Sequence, residues 1–182
     1  MGTPVTDFAG LGYDKAEEFA HIRSDKKTDY RSRQTLLPEG QLEVDMVGLF
    51  NEMAWAKYVG TEIRMYPPEV GDGGGSDLTV GPYEMATRGT TSHKKDKNFL
   101  SPKLGINADV ISLGEVWHDR KKRQCKVRLI GWLWQGEWLF HASSARPRVL
   151  VLNGPLTYMC LASNMHPPQE LKELAFGRET LF

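Results

Sequence analysis

Cysteine is scarce in this 182-residue sequence, which has only Cys125 and Cys160. The two lack the close pairing of a structural zinc site, so reduced thiols in a cytoplasmic protein are expected. Its five histidines, His21, His93, His118, His141 and His166, are scattered without ligand spacing, which argues against a zinc centre. Net charge is also lacking, because Lys+Arg and Asp+Glu are both 23. No whole-molecule field then recruits a polyanion, and any nucleic-acid affinity must come from local basic clusters. No apolar run approaches the roughly 18 residues that a membrane-spanning helix requires. The opening residues Met1–Asp7 show no basic stretch followed by an apolar core, so no secretory signal is expected. The glycine run Gly73–Gly75 lacks the lysine and the following helix of a phosphate-binding loop, and no Gly-x-Ser-x-Gly elbow occurs.

What is present suits one domain with a real core, since 40% of the residues are hydrophobic. Residues 1–40 read as a peripheral segment and 41–182 as a single domain. Asp14–Ser24 has near-helical apolar spacing, and the polar stretch Asp25–Gln34, with Arg31 and Arg33, reads as a connection. Gln41–Val59 is the strongest helix, with Val44, Val47, Leu49, Met53, Ala54 and Ala56 on a broad apolar face and Gly60 as its stop. Thr61–Tyr66 reads as a strand closed by Pro67-Pro68, and Gly89–Gly105 as a polar, basic loop. Ala108–Trp117 and Cys125–Trp134 read as strands joined at a basic tip, in a meander with one face covered by helices. Trp138–Ser144 fits either a short helix or a strand extension, Val149–Leu152 a short strand, and Gln169–Phe176 a closing helix.

The stretch that bears on chemistry runs from Gly73 to Lys97. It reads as a glycine-rich loop, a strand Asp77–Val80, a Gly81-Pro82 turn and a strand Tyr83–Arg88. Side chains alternate along a strand, so Glu84, Ala86 and Arg88 project one way and Tyr83, Met85 and Thr87 the other. Pairing of the two strands brings Asp77 toward the Glu84 face. Two converging carboxylates suit a hard cation such as Mg²⁺, although solvated acids at strand ends give the same pattern. Glu52 lies among apolar neighbours in the long helix, where a carboxylate is either partnered, for instance by Lys57, or functional. Lys94, Lys95 and Lys97, and the tip Arg120, Lys121, Lys122 and Arg123, are candidates to grip phosphates or are simply solvated charge runs.

Taken in order, Asn51-Glu52-Met-Ala-Trp-Ala-Lys57-Tyr-Val-Gly60, then Asp77, then Glu84-Met-Ala86-Thr-Arg88, then Ala-Asp-Val-Ile and Val-Arg-Leu-Ile-Gly131-Trp132, the chain resembles the PD-(D/E)XK nuclease superfamily. The likeness is to its small phage and prophage members and covers roughly Val47 to Trp138. It implies an α/β (α+β) fold with a restriction-endonuclease-like core, a mixed four- to five-stranded sheet flanked by helices. It also implies Mg²⁺- or Mn²⁺-dependent hydrolysis of DNA, with Asp77 and Glu84 holding the metal and Glu52 assisting. Many members pair, which leaves a homodimer open, and a phage-encoded member would work in the bacterial cytoplasm. The family signature ends Glu-x-Lys, whereas this chain has Ala86 at the lysine position. Arg88, two residues on and facing the same way, is the candidate replacement. The alternative is a non-catalytic relative that binds nucleic acid or a host protein.

Overall fold

The computed structural model describes residues 3–27, 38–63, 76–91, 98–101, 105–144, 148–149 and 156–177. Its centre is a long antiparallel pair, strand β5 (Val110–Asp119) and strand β6 (Gln124–Trp134). Both alternate: Val110 and Val116 on β5, with Cys125, Val127 and Leu129 on β6, join one apolar cluster. Ile111, Leu113 and Leu133 join a second cluster on the other face. Period-two patterning on both faces marks a sheet sandwiched between helices, whereas the sequence suggested cover on one face only.

Around this pair the main sheet has the order β1-β6-β5-β3-β2. Strand β3 (Tyr83–Thr90) runs parallel to β5, and strand β2 (Leu78–Val80) pairs back on β3 as a hairpin. Strand β1 (Val5–Ala9) is antiparallel to β6 at the far edge. The fold is therefore α+β, with a mixed five-stranded sheet. The first forty residues, expected at the periphery, are integral where they are described. Besides β1, helix α1 (Leu11–Lys27) puts Tyr13, Ala16 and Ala20 into the larger core.

Helix α2 (Pro38–Val59) covers that face of the sheet, burying Met46, Leu49, Phe50, Ala54 and Trp55. Its approach is set by two glycines side by side in the β3–β5 ladder, Gly89 and Gly114. A Cβ on Gly89 would lie 2.7 Å from the Val47 carbonyl oxygen and 2.8 Å from Val47 Cγ1. One on Gly114 would run into the Asn51 carboxamide. The missing side chains make a trough into which the helix backbone sinks. Asn51 and the Ser112 hydroxyl are buried beneath it and make no hydrogen bond among the described residues.

The opposite face carries helix α3 (Gln135–Ser144), which buries Trp138 and Ala142 against Ile111, Leu113 and Leu133. Of the two readings open for Trp138–Ser144, helix holds, and it begins directly at the end of β6. Glu137 in its first turn accepts the Trp134 N–H at 2.9 Å, a favourable place for an acid. A second sheet has the order β4-β8-β7, from strands β4 (Asn98–Ser101), β7 (Arg148–Val149) and β8 (Leu156–Leu161). Strand β4 thus occupies part of the stretch read as a polar loop. Thr61–Ile63, expected to open a strand, is irregular, and the rest of that stretch lies outside the described residues. Helix α4 (Pro168–Phe176) closes the chain, with Pro168 at its start and Gly177 at φ +78° as its stop. No helix among the described residues is long and apolar enough to cross a membrane.

Candidate functional site

The β2–β3 hairpin forms for the local reasons its sequence suggests. Gly81 takes φ +57°, the positive value that a Gly-Pro two-residue turn needs at its first central position. A Cβ there would also sit 2.8 Å from the Ala175 carbonyl oxygen, so α4 presses on this turn. The register pairs Leu78 with Met85, Thr79 with Glu84 and Val80 with Tyr83. Leu78, Val80 and Met85 all enter the α2-side core. Alternation then places Thr79, Glu84, Ala86 and Arg88 on the α3 side. Asp77 lies at the bend just before β2, and its carboxylate turns to the β3 backbone.

Each carboxylate is held by its neighbours. Asp77 Oδ2 accepts the Thr87 N–H at 2.6 Å and lies 3.8 Å from Arg88 Nη1. Its own N–H donates at 2.8 Å to the carbonyl of Met85, the residue that also pairs with Leu78, so the ladder is irregular at this point. Glu84 accepts hydrogen bonds from the hydroxyls of Ser76 and, at 3.4 Å, Thr79. Arg88 Nη1 also donates to the Thr87 carbonyl at 2.8 Å. The hairpin thus carries two sets of hard oxygen donors, Glu84 with the Ser76 and Thr79 hydroxyls and Asp77 with Arg88 beside it. Such donors suit Mg²⁺ or Mn²⁺, which binds through one or two carboxylates and keeps several waters.

Ala86 has 2% of its surface exposed and packs in the α3-side core with Ile111, Leu113 and Leu133. It stands across the hairpin from Asp77, one step beyond the Leu78–Met85 pair. The position where the resembled family has lysine is thus filled by a small core residue, while the Arg88 side chain is 45% exposed.

Other expected site residues lie elsewhere. Glu52 is buried on α2, which packs on the opposite face of the sheet, and it engages a partner there. Among the described residues, no group of three or more His, Cys, Asp or Glu is placed to hold a metal ion. The basic tip sits at the far end of β5. Asp119 is nine residues along the strand from Val110, about 30 Å at the usual rise. Its charges are largely matched locally. Arg120 pairs with Glu17 at 3.4 Å, Arg123 Nε donates to Asp14 at 3.0 Å, and Lys122 lies 3.5 Å from Asp119. A backbone hydrogen bond from Lys122 leads the effects that hold the Asp119 carboxyl below its ordinary range. Lys94, Lys95 and Lys97 lie outside the described residues, as does the Gly73–Gly75 run.

One residue beside the hairpin, the acid of the Ala-Asp-Val-Ile stretch, was given no role from the sequence. Asp109 Oδ2 accepts the Glu84 N–H at 2.9 Å, and the Asp109 N–H donates to the Glu84 carbonyl at 2.8 Å. Nothing local announces it, because the contact exists only through the parallel β3–β5 pairing.

Fold and site together define an α+β protein whose mixed sheet carries an acidic hairpin at one end. Beyond that class, comparison with protein-family models, with curated proteins and with solved structures finds no match.

Proposed function

We propose that the protein is a divalent-metal-dependent nuclease acting on DNA phosphodiester bonds. The observation that carries this reading is that one hairpin holds both acids, Glu84 on β3 and Asp77 at the foot of β2 against the Thr87 N–H, with the Arg88 guanidinium 3.8 Å from Asp77. In this reading the two carboxylates hold Mg²⁺ or Mn²⁺, and the bound ion polarises a phosphoryl oxygen and offsets charge that develops there. Thr87 N–H fixes the Asp77 carboxylate, and the Ser76 and Thr79 hydroxyls fix Glu84, so neither must reorganise when the ion arrives. Arg88, with its side chain 45% exposed, offers a fork of donors to a phosphate oxygen. Residues of the basic tip are too far away to touch the same phosphates as the hairpin.

The test is calorimetry with Mn²⁺, paired with cleavage of single- and double-stranded DNA. Binding heat and cleavage that both vanish in Asp77→Ala support the reading. A wild-type protein that takes up no Mn²⁺ overturns it.

A second reading is favoured by Ala86, whose small buried side chain leaves no amine at the family's lysine position. In it the scaffold binds nucleic acid or a host protein without cutting. It expects DNA retention without Mn²⁺ uptake.

A further inference from the structure

Both backbone groups of Glu84 are held by a single residue, Asp109, which directly precedes β5. Met85 turns its carbonyl toward β2, where it accepts the Asp77 N–H. Glu84, one residue earlier, turns its N–H and carbonyl toward β5. There Asp109 closes both, with the carboxylate Oδ2 taking the Glu84 N–H at 2.9 Å and its own N–H meeting the Glu84 carbonyl at 2.8 Å. A side-chain oxygen thus stands in for the ladder carbonyl at the first rung of the parallel pair. A charged acceptor makes that bond stronger than an amide carbonyl would. The other end of Asp109 is anchored too, since its carbonyl accepts the Gln135 N–H at 2.9 Å, at the start of α3.

We propose that Asp109 is a positioning residue for Glu84. It clamps the strand segment that carries the carboxylate and ties that segment to α3. This inference rests on the metal-binding reading of the hairpin. Outer partners that orient a ligand typically cost 10–100-fold in metal affinity when removed. Asparagine keeps an oxygen at the Oδ position and can still accept the Glu84 N–H, whereas alanine cannot.

The experiment measures Mn²⁺ affinity by calorimetry, together with amide exchange at Glu84 in metal-free protein, for the wild type, Asp109→Ala and Asp109→Asn. The expected result is a loss of roughly 10–100-fold in Asp109→Ala, with the Glu84 amide deprotected. Asp109→Asn recovers most of both, and all three proteins share nearly the same melting temperature. Unchanged Mn²⁺ affinity in Asp109→Ala overturns the inference and leaves the metal reading standing. Asp109→Asn as weak as Asp109→Ala also overturns it, since the charge and not the hydrogen bond would then matter. A wild type without Mn²⁺ binding removes the metal reading and this inference with it.

Discussion

The two faces of the main sheet are built on different terms. On the α2 side a long helix sinks into a glycine trough and shares a large core with α1, with Phe50 packed between Phe8 and Tyr13. On the α3 side a shorter helix covers a smaller core around Trp138, and the carboxylate hairpin opens at its margin. Close backbone approach fixes the first face, leaving little tolerance for added volume. The second is held by side-chain packing and leaves a rim where polar groups stay accessible. The contrast teaches where polar groups can gather: the ladder that carries Glu84 is stiffened from behind by α2, while the side that bears the Glu84 carboxylate faces the thinner layer.

The largest test of this contrast is a pair of truncations. Phe50→Ala and Trp138→Ala should each cost about 3–5 kcal/mol. Hydrogen exchange should separate them: Phe50→Ala lowers protection throughout the sheet, whereas Trp138→Ala lowers it mainly in α3 and β8. Equal, global loss in both would erase the distinction. Next in size, Gly89→Ala should destabilise by roughly 1–3 kcal/mol, because its Cβ would press on the α2 backbone. Gly136→Ala in α3, where nothing lies within 4 Å, should instead stabilise by up to about 1 kcal/mol. Opposite signs in thermal unfolding sharpen the comparison, and equal signs break it.

Ala86→Lys probes the rim itself. The added chain crowds the α3-side core and should cost about 1–3 kcal/mol, yet it places an amine across from Asp77. DNA cleavage with Mn²⁺ should rise; a stable variant with no gain would count against catalysis at this hairpin. The smallest effects concern the thiols, one on each face. Burial pushes Cys125 up to about 12 and Cys160 up to about 11, so neither is a ready nucleophile at neutral pH. Neither should react with alkylating agents at pH 8 until the fold opens, and the thinner face should release Cys160 first. Because each thiol binds its proton more tightly when folded, their contribution to stability is intact below about pH 9. It is lost as pH rises through the window between 9 and 12, which denaturant titrations at pH 8 and pH 10.5 would register.

Much of the local chain could be read in advance. The hairpin follows from Gly81-Pro82 between short apolar runs, α2 from its helical spacing and Gly60, and α4 from Pro168 and its leucines. The same-face placement of Glu84, Ala86 and Arg88 needed only the two-residue period. Features made by distant pairing stayed hidden. Val5–Ala9 looks like an idle tail until β6 lies beside it, and Asp109 is an ordinary acid until β3 and β5 run parallel. Glu52 sits among apolar neighbours in the sequence as a catalytic acid would, but its helix packs on the face of the hairpin opposite the Glu84 side chain. Nor could charge counting show that the basic tip faces Asp14 and Glu17 at the opposite end of the sheet.

The join between β3 and β5 has a consequence for how the chain assembles. It carries β4 on the way, and β4 finds its partner only in β8, far downstream toward the C-terminus. On the ribosome the main sheet can zip up through β6 while β4 waits alone. The small sheet cannot form before β8 has been made, so the parallel crossover is stitched to a strand that lies downstream of the whole main sheet.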